Sequence, residues 1–185
     1  MVSTTMLKQN RTEKWSNPPL KNFKRRGFKP RLFYSMRVVI QRVSSAQVAI
    51  EGQIVSQIKQ GILVLVGIAH TDTPDDVAWL ARKVIAQRIF TDSEDHMNLS
   101  VGDVGGEILA VSQFTLIAST RKGTRPSFNA AATPALAVPL YEKFVHELSE
   151  QIGHPIKTGM FGADMKVSLI NDGPVTLVID SQLRE

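Results

Sequence analysis

The strongest constraint on what this chain can fold into is the run Gly61–Ala69, which is nearly continuous in apolar residues and shows no polar alternation. At strand length, such a run is expected to be buried on both faces. Two helical patterns follow it. Thr73-Pro74-Asp75-Asp76 carries a capping residue, a proline suited to the first helical position and two acids at the positive end of the helix dipole. Val77, Leu80, Val84, Ile85 and Ile89 then recur at helical spacing, predicting a helix that ends near Phe90. Thr133-Pro134 opens a second helix by the same logic, with Leu140, Phe144, Val145, Leu148 and Ile152 on one face and Gly153 as its terminator. Pro139 inside it removes a hydrogen bond, so either the first turn is kinked or the regular helix starts near Pro139.

The other segments read as strands. Met36–Ser44 and Gln47–Glu51 are expected as a pair of Val/Ile-rich strands, with a turn at Glu51-Gly52-Gln53 and a short strand Ile54–Ile58. Glu107–Ala118 reads as a long strand between the loops Asp92–Gly106 and Ser119–Asn129. Lys157–Phe161, Asp164–Ile170 and Val175–Asp180 complete the set, the last two parted by the turn signal Asn171-Asp172-Gly173-Pro174. The pattern is that of a soluble α/β domain.

Charge divides the chain. Residues 1–35 hold nine Lys and Arg against the single acid Glu13, a balance of +8; the whole chain is +5, so residues 36–185 carry 5 − 8 = −3. Residues 1–35 therefore read as a basic, disordered extension and residues 36–185 as the folded domain. A methionine at the junction suggests that the functional protein starts at Met36; the extension is then a misassigned start, a transit peptide or a real arm. No apolar stretch approaches the roughly 20 residues needed to span a bilayer, so no membrane partner is expected. The location expected is cytoplasmic, or organellar if the extension is a transit peptide.

The chain has no cysteine, which rules out disulfides, a thiol nucleophile and thiolate-bound metal. His70, His96, His146 and His154 show no metal-ligand spacing, with His70 expected to be structural and His146 to face outward. There is no Gly-x-Ser-x-Gly elbow and no phosphate-binding glycine loop. No metal or cofactor is expected. Three segments remain. Ser112-Gln113-Phe114-Thr115-Leu116 lies in an apolar strand, where alternation puts Ser112 and Phe114 on one face and Gln113 and Thr115 on the other; it is either a half-wet strand or a site. Asn171-Asp172-Gly173-Pro174-Val175-Thr176 is either a tight turn or a functional backbone element. Arg121-Lys122-Gly123-Thr124-Arg125-Pro126-Ser127-Phe128 is either a solvated loop or a contact for phosphates and a terminal adenine.

Taken together, the first two segments resemble the Ser-Gln-x-x-Leu and Asn-x-Gly-Pro-x-Thr motifs of the D-aminoacyl-tRNA deacylase family. The opening Met36-Arg37-Val38-Val39-Ile40-Gln41-Arg42-Val43 is similar to the family's N-terminus. Gln87-Arg88-Ile89-Phe90, Arg125-Pro126-Ser127-Phe128 and Phe161-Gly162-Ala163-Asp164-Met165 add to the likeness, which covers residues 36–185. The resemblance implies a compact, β-barrel-like, mostly antiparallel α/β fold with two main helices, and a homodimer with its active site at the subunit interface. It implies hydrolysis of the ester between a D-amino acid and the 3′ adenosine of tRNA, and of glycyl-tRNA, with L-amino acids refused.

By the same resemblance, Ser112, Gln113, Phe114 and Thr115 form the catalytic segment. Gly173 and Pro174, joined by a cis bond, enter the partner's site and hold the substrate's amino group through their carbonyls. Arg42 orients that pair, and Met165 and Phe161 line the pocket. Thr115 is read as a supporting group rather than a nucleophile, because no base is evident to activate it. The family relies on main-chain contacts and the 2′-hydroxyl of the tRNA itself. Competing readings are an animal-type deacylase tolerant of L-alanine, which changes both motifs; a non-enzymatic RNA-binding module that uses the basic extension; and a hydrolase of small esters.

Overall fold

A computed structural model of the protein describes residues 34–183. The basic extension of residues 1–35 therefore lies outside the described residues except for Tyr34 and Ser35. Ser35 is buried and its hydroxyl donates to Asp180, so it belongs with the folded body.

The first strand, β1 (Arg37–Ile50), runs without interruption where two paired strands were expected. Its partners come later in the chain. Through the turn at Glu51 and Gly52, both at positive φ (49° and 80°), it returns as β2 (Gln53–Ile58) and β3 (Gly61–Gly67). These share one register against β1: Ala46 faces Ile58 and Val43 faces Gly61, the paired numbers summing to 104 in both cases. β2 and β3 are thus two halves of one hairpin arm, broken at Lys59-Gln60. The expected gap between the two strands, Ser45-Ala46, lies within β1 beside this break.

β3 then pairs in parallel with β6 (Glu107–Ser112), and β6 with β7 (Lys157–Thr158). The last strand, β8 (Lys166–Asp180), runs antiparallel along β1. The result is a nearly closed, barrel-like mixed sheet in the order β2-β1-β3-β6-β7, with β8 on β1. β4 (Phe90–Thr91) and β5 (Met97–Leu99) form a small separate hairpin within the expected loop.

Two helices cover one face. α1 (Pro74–Ile85) starts where the Thr-Pro-Asp-Asp signal implied, and Thr73 and Asp76 add a reciprocal capping box. α2 (Pro134–Ile152) is regular through Pro139; the proline deprives only the exposed Ala135 carbonyl, which water can satisfy, and Gly153 closes the helix at φ 82°. Ile62, Val64 and Val66 of β3 pack with Val77, Leu80, Phe144 and Leu148 from the helices. Leu63 packs on the opposite face with Val43, Val48, Leu109 and Val111. The apolar run is therefore buried on both sides, as its composition requires.

Two further boundaries differ from expectation. α1 stops at Ile85 with Ala86 as its cap, Arg42 holds the Ile89 carbonyl beyond it, and Ile89 and Phe90 reach the core from outside the helix. The strand begun at Glu107 ends at Ser112. Gln113 departs from it (ψ 79°), a 3-10 turn follows over Phe114–Ile117, and Ile117 enters a small core with Ala69 and Ala130. The expected alternation of Ser112 through Thr115 across two strand faces therefore does not occur.

Candidate active site

The end of β6 opens into a cleft of about 520 Å³, lined by Ser112, Gln113 and Phe114 on one side and Phe161, Asp164 and Met165 on the other. Val66, Ala132 and Ala137 supply further apolar wall. Five of the sequence-predicted residues thus meet there: Ser112, Gln113, Phe114, Phe161 and Met165. Thr115 lies beside them, outside the lining. Its hydroxyl accepts a hydrogen bond from the Gln113 amide at 2.5 Å, and no His, carboxylate or amine among the described residues bonds to it. Phe114 is exposed and meets Phe128 edge-on, with 5.1 Å between ring centroids. The Arg121–Arg125 loop beyond Phe128 is fully exposed.

Residues that sequence reading passed over hold this cleft in shape. Tyr141 of α2 is buried, donates its hydroxyl to the Ala110 carbonyl at 3.0 Å and packs its ring against Phe161. Burial pushes its hydroxyl far above the ordinary tyrosine range. Gly159 also donates to the Ala110 carbonyl, and a Cβ built on it would stand 2.5 Å from the Met165 sulfur, so the thioether fills the space a side chain would need. A lone glycine just after a short strand was the only sequence signal for this. The rim charge of Asp164 is paired with Lys166 at 2.9 Å. Among the described residues, no cluster of three or more His, Asp or Glu is placed to hold a metal ion.

Gly173, Pro174 and Arg42 do not line this cleft. β1 advances two residues, from Gln41 to Val43, while β8 covers five, from Thr176 back to Asn171. Asp172–Val175 therefore bulge out opposite Arg42 alone, where a turn between separate strands was expected. Asp172, Gly173 and Pro174 are exposed, the Gly173–Pro174 bond is cis, and Gly173 sits at φ 127°. Arg42 is only 8% exposed. It anchors the bulge by donating to the Asp172 carbonyl at 3.0 Å and to the Ile89 carbonyl at 2.5 Å. Asn171 clamps the bulge from within: its oxygen accepts the Val175 N–H and its amide donates to the Thr176 hydroxyl, both at 2.9 Å. This explains why Asn and Thr flank Gly-Pro at that spacing. Apolar residues lie exposed along the same strand, with Ile170 at 63% and Val178 at 64%.

Comparison with known proteins follows the same lines. A family model described as D-Tyr-tRNA(Tyr) deacylase matches residues 39–180. A D-aminoacyl-tRNA deacylase of Opitutus terrae is 63% identical over 150 residues, covering 81% of this chain and 100% of the relative. One of Flavobacterium johnsoniae is 59% identical over the same length and shares. A solved structure described as c-Myc DNA Unwinding Element Binding Protein superposes with a TM-score of 0.73 at 39% identity, covering 78% of this chain and 97% of its own. A probable eukaryotic D-amino acid tRNA deacylase superposes at 0.69 with 18% identity, over 79% and 99%, a likeness of fold.

Proposed function

The chain belongs to the D-Tyr-tRNA(Tyr) deacylase family, and from this premise we propose that it is an ester hydrolase that removes D-amino acids from tRNA in translational proofreading. The observation that carries the reading is a cleft built from the Ser112–Phe114 segment facing Phe161 and Met165, with a Gly-Pro bulge presented outward elsewhere on the same subunit. An aminoacyl ester is already activated, so positioning and oxyanion stabilisation suffice. Water adds to the ester carbonyl, main-chain N–H groups at Phe114 and Thr115 receive the oxyanion, and the 3′ oxygen leaves with the proton that the water gives up. Thr115 supports this segment through Gln113 and is not the nucleophile.

Chirality is read by the bulge of a second subunit. Gly173 and Pro174 of the partner close the cleft, their carbonyls hold the α-amino group, and an L side chain collides with that backbone. Glycyl-tRNA, with no side chain to refuse, is also cleaved. The exposure of Ile170 and Val178 beside the bulge supports a homodimer that covers this face.

The test is deacylation of matched D-tyrosyl- and L-tyrosyl-tRNA with chelator present. Rapid loss of the D ester with the L ester spared supports the reading; equal stability of both esters refutes it.

A further inference from the structure

The seam where β1 begins is organised around a buried backbone nitrogen. Met36 is wholly buried, and its N–H donates to Asp72 Oδ1 at 2.8 Å. The other Asp72 oxygen accepts the Ala69 N–H at 2.6 Å. The Met36 carbonyl accepts the Ser181 N–H, and the neighbouring Asp180 receives the Ser35 hydroxyl and the Arg37 guanidinium, the latter at 2.9 Å. Asp76, in the first turn of α1, is the third buried carboxylate, and it is bonded to the Thr73 amide and hydroxyl.

Asp72 thus holds the Met36 N–H, and the buried Asp76 and Asp180 lie close enough to act on its charge. Arg37 is paired with Asp180, and among the described residues no cation lies within ion-pair distance of Asp72 or Asp76. Burial pushes the Asp72 carboxyl up to about 6 against the pull of the Ala69 and Met36 amides, and the charges on Asp76 and Asp180 push the same way. A buried carboxylate held only by neutral donors lacks its counter-charge.

We propose that this seam is a socket for a terminal ammonium: in a chain whose first residue is Met36, the Met36 nitrogen supplies the positive charge that Asp72 lacks. The nitrogen already stands at hydrogen-bonding distance from Asp72, and nothing needs to move for the charge to arrive. An ammonium carries three donors where the amide carries one. One of them keeps Asp72. Independently, the curated relatives match along their whole length over 150 residues, which is the length from Met36 onward, 185 − 35 = 150. The inference does not depend on the chemistry of the cleft.

The experiment compares the full chain with a chain beginning at Met36, its first residue verified by intact mass. The pKa of the Met36 amine is read from the pH dependence of its acylation by an N-hydroxysuccinimide ester, in the folded protein and in urea. The expected result is a rise of at least about one unit on folding, seen as roughly ten-fold less reactive amine near neutrality. Asp72→Asn should cancel that rise and lower the melting temperature of the Met36-first chain more than that of the full chain. An amine that titrates alike in folded protein and urea overturns the proposal, as does an equal Asp72→Asn effect in both chains. If the variant does not fold, the amine titration decides alone.

Discussion

Replacing Gly173 with alanine tests the bulge directly. The residue sits at φ 127°, where an L side chain is strained at a cost of about 1–3 kcal/mol. The new Cβ would lie 2.8 Å from Val175 Cγ2 and 2.9 Å from Arg42 Nη2. The guanidinium cannot simply withdraw, because it is buried and already donates to the Asp172 and Ile89 carbonyls. Losing one such charge-assisted bond costs about 1.5–3 kcal/mol. If the bulge keeps its shape, the sum is roughly 2.5–6 kcal/mol, or about 5–24 °C in melting temperature for a protein of this size. If the bulge yields instead, the stability loss shrinks and the D-over-L ratio collapses. Thermal melting alongside deacylation of D- and L-tyrosyl-tRNA covers both cases. Gly52→Ala is the control: it has positive φ (80°) but nothing within 4 Å of the new carbon, so it carries backbone strain alone. A Gly173→Ala protein with wild-type melting, rate and selectivity would refute the reasoning.

Thr115→Val removes the hydroxyl that Gln113 engages and should slow D-ester hydrolysis by about ten-fold, the scale of one hydrogen bond; loss of all activity in single-turnover assays would restore Thr115 as nucleophile. Gly159→Ala forces the Met165 sulfur out of its place and into the cleft, so KM for D-aminoacyl-tRNA should rise more than kcat falls, and an unchanged KM would contradict that placement. In the full chain, Asp72 is protonated when folded up to about pH 6 but ionised above its ordinary 3.8 when unfolded. The folded state therefore holds the extra proton in that window, and stability should fall as pH rises from about 4 to about 6, by up to roughly 3 kcal/mol. Denaturant melts across this range should lose that limb in Asp72→Asn, and a limb unchanged by the variant would exclude Asp72 as its source.

Local signals were legible wherever the chemistry is local. Thr73-Pro74-Asp75-Asp76 announced its helix start, Gly153 its helix end, and the Gly61–Ala69 run its double burial. What escaped was set by partners distant in sequence. Two strands were expected, parted at Ser45-Ala46, yet pairing with β8 keeps β1 one strand through that point, with only a register shift between Val43 and Ser45. Ile89 continues the helical period of α1, but a guanidinium from β1 claims its carbonyl. Ser112 through Ile117 is apolar enough for one strand, yet the chain turns and Ile117 is buried with Ala69 and Ala130. At the site, both motifs were visible as residues, while their separation into a cleft and an outward bulge was not. The parts played by Tyr141 and Gly159 depend on what packs against them, which no spacing records.

The β1–β8 pairing also imposes an order of events on the protein's making. Arg42 and the Asp172 carbonyl it holds are 130 residues apart in the chain. Closing a loop of that size is entropically slow, and synthesis delivers the C-terminal strand last. During translation, every segment that lines the cleft emerges before Gly173. A nascent chain can thus assemble its cleft wall while the bulge is still unmade, and the two parts are joined only when the final strand leaves the ribosome. Premature termination inside β8 would therefore yield a chain with its cleft-lining residues present and no Gly-Pro bulge to offer a partner.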